Sequence, residues 1–254
     1  MFVAAAALCG SLFAEVTSAN IVGYEQHALN LDNPDDYIFD VGVNFKNVSG
    51  EPFVVTDNFL GNQLQDGDTI FIFDNLMYGY NLYTFSEIEE GVWGFVVVMA
   101  DGSFGDPITS LTLNKGDWAL LMPADLALTP SINVSGEVEA SGTKVLDLSC
   151  EDSDEGYICP LVNPFPIDTT LGDLKTFLVD GDTIFVWDSI LYGYNLYTYS
   201  EIEDGVWGFL VVLADGSFGD PISGDDTVIL KSGQGALFMP VDFDGREWSV
   251  TLNY

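Results

Sequence analysis

Basic residues are scarce in this chain of 254 residues: six Lys and Arg stand against 40 Asp and Glu, a formal net charge of −34. A surface this acidic repels phosphate backbones and anionic lipid headgroups, which excludes nucleic-acid binding and peripheral membrane binding. Beyond the N-terminal segment, no apolar run approaches the roughly 20 residues of a transmembrane helix.

Catalytic apparatus is equally scarce. The one histidine, His27, lies near the N-terminus, and no nucleophile motif accompanies it anywhere in the chain. Paired carboxylates could serve a glycosidase. With 40 acidic residues present, however, the sequence singles out no pair. We therefore expect a protein that is not an enzyme and needs no cofactor, with Ca²⁺ as the one candidate ligand.

The N-terminus predicts export. Residues 2–14 are apolar or small and uncharged, and the run is too short for a transmembrane helix but fits the hydrophobic region of a signal peptide. We assign residues 1–14 as a signal peptide, with cleavage after Ala14 or, alternatively, after Ala19. A buried N-terminal strand or helix is the other interpretation. Export predicts a secreted, extracellular or cell-surface location.

Only three cysteines occur, and one of them, Cys9, lies in the predicted leader. Cys150 and Cys159 flank an acidic turn, and an oxidising exterior favours a disulfide between them. Such a short loop is worth at most about 3 kcal/mol. A two-cysteine metal site is the weaker alternative, because no histidine or third cysteine lies nearby.

An internal repeat dominates the chain. Residues 66–108 and 180–222 align without a gap at an offset of 114, and nine of these 43 positions differ. Flanking matches join residues 115–123 to 232–240 and, more faintly, residues 21–25 to 134–138 as the opening strand of each copy. We therefore predict one unit at residues 15–138 and a second at 139–254.

The local pattern predicts strands throughout. Residues 68–74 are β-branched or aromatic, and Tyr83 and Phe85 share one face of an alternating run. Residues 92–100 are continuously apolar, which is typical of a strand buried on both faces. No sustained 3.6-residue period occurs, although residues 170–178 could form one or two helical turns. We predict an all-β fold of two tandem antiparallel β-sandwiches.

Short motifs carry a resemblance. The segment VTSANIVGY at residues 16–24 resembles the mature start of secreted β-repeat proteins of Planctomycetes–Verrucomicrobia–Lentisphaerae bacteria. The motifs of the second copy resemble the same proteins: Asn163-Pro-Phe165, Gly181-Asp182, Trp187-Asp188, residues 194–199, Trp207 and Gly233-x-Gly235. The first copy departs from this pattern, with Asn44-Phe-Lys46 for Asn-Pro-Phe and Trp118 for the second glycine. The resemblance implies export and β repeats but supplies no activity.

Acidic turns recur in both copies and are candidate Ca²⁺ ligands, because Ca²⁺ takes six to eight oxygen ligands. None of them fits an EF-hand loop. Asp and Gly are also what tight turns require, so solvated turns are the alternative. The candidate ligands are Asp66, Asp68, Asp101, Asp106, Asp180, Asp182, Asp215 and Asp220.

Repeated aromatic residues are candidates for stacking on sugar rings or for a protein interface. The alternative is that Trp93 and Trp207 fill the sandwich cores while the tyrosines line the edges. The candidate contact residues are Tyr80, Tyr83, Phe85, Tyr194, Tyr197 and Tyr199.

These observations favour a secreted, non-catalytic structural protein that self-assembles as the subunit of a cell-surface layer, fibre or sheath. The partner would be a second copy, with residues 15–21 as a strand added between subunits. An extracellular glycan-binding or adhesion module is the alternative. The net charge of −34 favours a saline or Ca²⁺-containing exterior, because cations screen the self-repulsion.

Overall fold

A computed structural model of the chain describes residues 22–28, 38–45, 47, 49, 51–74, 77–114, 116–128, 131–138, 142–147, 158–163, 165, 167–188, 190–242 and 246–252. The predicted leader, the proposed added strand at 15–21, Cys9 and Cys150 lie outside these residues. Below, repeat 1 denotes the described residues from 22 to 138 and repeat 2 those from 142 to 252.

The prediction of an all-β fold is confirmed, and the described strands form antiparallel sheets. The strands of repeat 1 are β1 Val22–Ala28, β2 Phe39–Gly42, β3 Phe53–Val54, β4 Thr69–Asp74, β5 Gly79–Glu89, β6 Val92–Val98, β7 Thr112–Leu113, β8 Trp118–Met122 and β9 Ser131–Glu137. Those of repeat 2 are β10 Gly142–Asp147, β11 Cys159–Val162, β12 Thr169–Thr170, β13 Thr183–Asp188, β14 Gly193–Glu203, β15 Val206–Val212, β16 Val228–Leu230, β17 Gly235–Met239 and β18 Glu247–Leu252.

The two repeats have the same topology. In repeat 1 a five-stranded sheet has the order β2-β8-β4-β5-β6, and in repeat 2 the order is β11-β17-β13-β14-β15. Two further strand pairings in each repeat complete this correspondence: β3 with β7 and β1 with β9 in repeat 1 match β12 with β16 and β10 with β18 in repeat 2. Each of these pairings joins strands of one repeat. The boundary at 138/139 stays a prediction, and the strand pairing is compatible with it.

Helices are short. A π-helical turn, Val55–Phe59, follows β3, and its counterpart after β12 is the helix α1, Leu171–Leu174. The capping box of α1, in which Thr170 and Asp173 bond each other's backbone N–H, fixes its start. The prediction of a helical turn within residues 170–178 is therefore confirmed. No helix among the described residues has the length and apolar character needed to cross a membrane.

One face of each five-stranded sheet packs on the core of its own repeat. In repeat 1, Ile70, Tyr83, Phe85 and Phe95 point into a core that is closed from the other side by residues of β3, β7 and β9 and of the helical segment. Repeat 2 has an equivalent core around Ile184, Phe209 and Trp248. The arrangement is sandwich-like, because a small second layer covers one face of a larger sheet.

Two expectations about strands were wrong. Residues 134–138 do not open the second copy, because Val134 lies in β9, which pairs with β1 and closes repeat 1. Residues 92–98 form the edge strand β6 and are not buried on both faces, since Val96 is exposed while Phe95 and Val97 are buried.

Candidate functional site

The second faces of the two large sheets pack against each other, and we call this contact the inter-repeat interface. Strand alternation sends Phe71 and Phe73 of β4 to this face, opposite to Ile70 and Ile72. Residues of both repeats form one apolar cluster here: Trp118, Leu120, Val162 and Leu237 are buried, with Ile38, Phe71, Phe73, Tyr80, Ile158, Phe185, Trp187 and Tyr194 packed against them. The interface therefore joins both repeats through side chains from their sheets.

Polar groups also bond across the interface. The Asp40 carboxylate accepts from Trp118 Nε1 at 2.6 Å within repeat 1 and from the backbone N–H of Gly235 at 3.1 Å in repeat 2. The backbone N–H of Gly42 donates to the Gly233 carbonyl at 2.5 Å. Asn44 Nδ2 donates to Ser232 Oγ at 3.0 Å. These bonds fix the register of one sheet on the other.

Burial shifts the acidity of the groups at this interface. Loss of solvation raises the pKa of Asp40 to about 7, although the hydrogen bonds from Trp118 and Gly235 partly oppose this increase. Burial likewise raises the pKa of Tyr194 to about 12 and that of Tyr80 further. Both tyrosines are therefore neutral hydroxyls at physiological pH, and these two hydroxyls contact each other.

The six candidate aromatic residues do not form one surface. Tyr80 and Tyr194 lie in the inter-repeat interface, whereas Tyr83, Phe85, Tyr197 and Tyr199 pack, half-buried, against the cores of their own repeats. A single sugar-binding face made of all six is therefore not what the strand register produces. Tyr80 and Tyr194 contact each other within the chain, and a role of the candidate residues in binding a sugar or a partner stays a prediction.

Trp93 and Trp207 do not fill the cores, and the expectation that they would was wrong. Trp93 is 47% exposed and Trp207 is 41% exposed. Each lies near the start of an edge strand, two residues before the buried Phe95 or Phe209, where the core ends. The Trp93 ring instead stacks on Phe85, with ring centroids 5.4 Å apart and planes at 26°.

Exposed apolar residues line the edge strand of each sheet and the segment that follows it, on both faces of the sheet, and we call these groups the edge clusters. Phe104 and Phe218 stand out, at 81% and 86% exposed. The repeat 1 cluster is Val92, Trp93, Val96, Met99 and Phe104, and the repeat 2 cluster is Val206, Trp207, Leu210, Leu213 and Phe218. Because the repeat preserves them at equivalent positions, the molecule displays the same exposed group twice.

The candidate Ca²⁺ ligands occupy two different environments. Asp68 and Asp182 are fully buried and accept hydrogen bonds from backbone N–H groups of their own repeat. The remaining six are exposed on turns: Asp66, Asp101, Asp106, Asp180, Asp215 and Asp220. Within the described parts of the chain, no three acidic, histidine or cysteine side chains lie close enough together to hold a metal ion. Calcium binding stays a prediction.

The exposed turns have a structural role of their own. The Asp101 carboxylate accepts from the backbone N–H of Ser103 at 2.8 Å, and Asp215 makes the same contact with Ser217. Hydrogen bonds from these serines lower the pKa of both carboxyl groups. This is the capping that Asp commonly provides in tight turns.

Cys159 begins β11, and its side chain lies 3.7 Å from the carbonyl of Phe238 on the neighbouring strand. Its predicted partner, Cys150, lies outside the described residues, so the disulfide stays a prediction. No protein-family model, curated protein or solved structure matches this chain.

Proposed function

We propose that the protein is a secreted, non-catalytic structural protein whose chains assemble, through the two edge clusters, into a cell-surface layer, fibre or sheath. The observation that carries the proposal is that Val96 and Phe104 of repeat 1, and Leu210 and Phe218 of repeat 2, are exposed on the same side of the sheet edge. Large apolar groups exposed at one place mark interaction surfaces in soluble proteins.

A second copy of the same chain is the partner that fits best. Val96 and Leu210 lie on edge strands, on the sheet face that elsewhere forms the inter-repeat interface. The apolar surface therefore continues outward from a contact that this unit already makes with its own duplicate. Two equivalent sites on each chain let every subunit bind two neighbours, and such contacts form open polymers when they do not close into a ring.

The charge sets the conditions for assembly. With a net charge of −34, two chains repel each other at low ionic strength. Salt at about 0.15 M shortens the screening length to about 8 Å. We therefore expect association to strengthen with added NaCl, and more strongly with Ca²⁺ if the acidic turns bind it.

Light scattering after size-exclusion chromatography, with negative-stain microscopy, tests the proposal. The wild-type chain should exceed its monomer mass of 27.7 kDa and form ordered polymers as salt is added. Phe104→Ser, which removes one site, should stop at dimers because each chain keeps a single edge cluster. Phe104→Ser combined with Phe218→Ser should stay monomeric.

Leu128→Ser combined with Val145→Ser is the matched control, because these residues are also exposed but lie outside the edge clusters. The control should polymerise like the wild type. A wild-type chain that remains a monodisperse monomer in NaCl and in Ca²⁺ would contradict the proposal.

Glycan binding is a second candidate, and one observation favours it: the exposed indoles of Trp93 and Trp207 offer flat apolar faces on which sugar rings can stack. Affinity electrophoresis in gels containing polysaccharide would detect retention. Trp93→Ala with Trp207→Ala should abolish retention, whereas Tyr83→Ala should retain it. Equal migration of wild type and the double variant with every polysaccharide would count against this candidate.

A further inference from the structure

The inter-repeat interface brings several residues against their own equivalents in the other repeat. Gly42 pairs with Trp118 in the register of β2 and β8, and Val162 pairs with Gly235 in the same places of β11 and β17. Across the interface, Trp118 lies against Gly235, and Gly42 lies against Val162. The hydroxyls of the equivalent tyrosines, Tyr80 and Tyr194, also meet.

At each of these contacts a large residue of one repeat faces a glycine of the other: Trp118 faces Gly235, and Val162 faces Gly42. A Cβ atom at Gly235 would overlap the Trp118 ring. A Cβ atom at Gly42 would lie 2.8 Å from Val162 Cγ1 and 2.5 Å from the Gly233 carbonyl oxygen, closer than atoms pack. Each glycine thus makes room for the larger residue that its equivalent position carries in the other repeat.

One polar contact follows the same rule. Asp40 accepts from the N–H of Gly235 in the other repeat as well as from Trp118. The equivalent of Asp40 in repeat 2 is Pro160. Asp40 lies two residues before Gly42, and Pro160 lies two residues before Val162. Repeat 2 therefore offers no carboxylate to a second repeat 2.

We infer that the two sheet faces are a matched pair, in which repeat 1 accepts repeat 2 and rejects a second copy of itself. Two repeat 1 faces would place Trp118 against Trp118. Two repeat 2 faces would place Gly235 against Gly235 and leave a cavity where the indole belongs, at a cost that grows with cavity volume. The partner of this surface is repeat 2 of the same chain. In a contact between two chains, the repeat 1 face of one chain could bind only the repeat 2 face of the other, as in a domain-swapped dimer. The inference concerns the inner faces and does not depend on assembly through the edge clusters.

Exchange of the three residue pairs in the full-length chain tests it. One variant gives repeat 1 the residues of repeat 2: Asp40→Pro, Gly42→Val and Trp118→Gly. The second makes the reverse change in repeat 2: Pro160→Asp, Val162→Gly and Gly235→Trp. The third carries all six substitutions, so that the large and small residues trade places and complementarity is kept.

Hydrogen exchange read by mass spectrometry reports on the interface segments 38–45, 116–122, 158–163 and 231–239. Because like faces no longer fit, both three-residue variants should exchange about tenfold faster in these segments. In the six-residue variant, the exchange rates of these segments should return to within about threefold of the wild-type rates. If the substitutions acted independently, their effects would add, and this variant would exchange fastest of all.

Amides inside each repeat check that the variants fold. The N–H of Phe85 bonds the Asp68 carbonyl, and that of Tyr199 bonds the Asp182 carbonyl, within their own repeats. Both should stay protected in all variants. Val228→Trp, at an exposed position of β16, controls for the added indole and should leave the interface segments unchanged. The inference is overturned if the six-residue variant exchanges faster than both three-residue variants, or if either of those matches the wild type.

Discussion

At the scale of the residue, two buried carboxylates connect distant parts of each repeat. Asp68 Oδ2 accepts from the N–H of Gln65 and Oδ1 from the N–H of Ala124, both at 2.8 Å. Asp182 repeats these contacts with Val179 and Val241, and Arg246 pairs with it in addition. Each carboxylate therefore ties the turn before a central strand to the chain that leaves β8 or β17.

Loss of the Asp68 side chain should be costly. Asp68→Ala removes a fully buried carboxylate and leaves the part-buried N–H groups of Gln65 and Ala124 without their acceptor, which should lower the free energy of unfolding by about 2–4 kcal/mol. Asp101→Ala, at an exposed turn, should change it by less than about 1 kcal/mol. Urea unfolding measures both, and equal losses for the two variants would contradict this assignment.

Asp40 should make the interface pH-dependent. Its folded pKa of about 7 lies above the ordinary value of 3.8, so the folded state holds a proton that the unfolded chain has released. Its contribution to stability is therefore fully present below pH 3.8 and is lost as the pH rises to about 7. The slope is at most about 1.4 kcal/mol per pH unit.

Asp40→Asn removes this titration while keeping an acceptor for Trp118. Relative to the wild type, the variant should become more stable as the pH rises from 4 to about 7, and parallel curves would argue against a raised pKa. Asp101→Asn serves as the control. Because hydrogen bonds from Ser103 lower the pKa of Asp101 from its ordinary value of 3.8, this group titrates below the tested range, and the control should run parallel to the wild type between pH 4 and 7.

Sequence alone could identify these aspartates as turn residues or as ligands but could not separate the two roles. The pair Asp66-Gly-Asp68 looks uniform in the sequence, yet one carboxylate is exposed and the other is fully buried. What separates them is the backbone N–H of Ala124, 56 positions away, which no local pattern indicates. The prediction that Tyr83 and Phe85 share one face, in contrast, followed from strand alternation and is confirmed, although the sequence did not indicate that this face lies on the core.

At the scale of the element, the edge of each large sheet is covered by the chain that leaves it. Phe95 and Ile108 exchange backbone hydrogen bonds at 2.7 and 3.0 Å, and Gly105 donates to the Val97 carbonyl at 3.1 Å. Segment 103–108 thus occupies groups of β6 that would otherwise pair with another strand. Assembly by strand addition at this edge would first have to displace the segment.

A side chain at Gly94 should displace this cover. A Cβ atom there would overlap the Ile108 carbonyl oxygen and lie 2.8 Å from Ile88 Cδ1. Gly94→Ala should therefore speed hydrogen exchange in segment 103–108 and increase light scattering, because the freed edge can pair between chains. Glu89→Ala, at an exposed position of the neighbouring strand β5, is the control. Unchanged exchange in the first variant would show that the cover tolerates a methyl group.

The repeat and its strands could be predicted from the sequence because they rest on local alternation and turn residues. The pairing of the sheets could not. Residues 70–73 are apolar on both faces of β4, which indicates burial on both sides. Nothing local says that the second layer is the other repeat. The sequence shows Trp118 where the second copy has Gly235. Only the structure shows why the two differ: β8 lies against β17, and the Trp118 ring occupies the space that the glycine leaves.

At the scale of the whole molecule, charge opposes folding as well as assembly. With 40 acidic and six basic residues, the compact state repels itself more than the expanded chain does. NaCl should therefore raise the melting temperature. CaCl2 should raise it further at the same ionic strength if the acidic turns bind Ca²⁺. If the two salts raise the melting temperature equally, screening alone explains the increase, and a calcium site is contradicted.

The inter-repeat interface also determines how units of this kind can be combined. In solenoid proteins each unit has two contact surfaces, so units can be added without limit. Here the sheet face of each unit that does not cover its own core packs against the other unit. The two faces differ, with Gly42 and Trp118 in repeat 1 and Val162 and Gly235 in repeat 2. A single third unit of either type would find no open face in this pair. Further units of this kind would therefore have to come in pairs, each with its own matched interface.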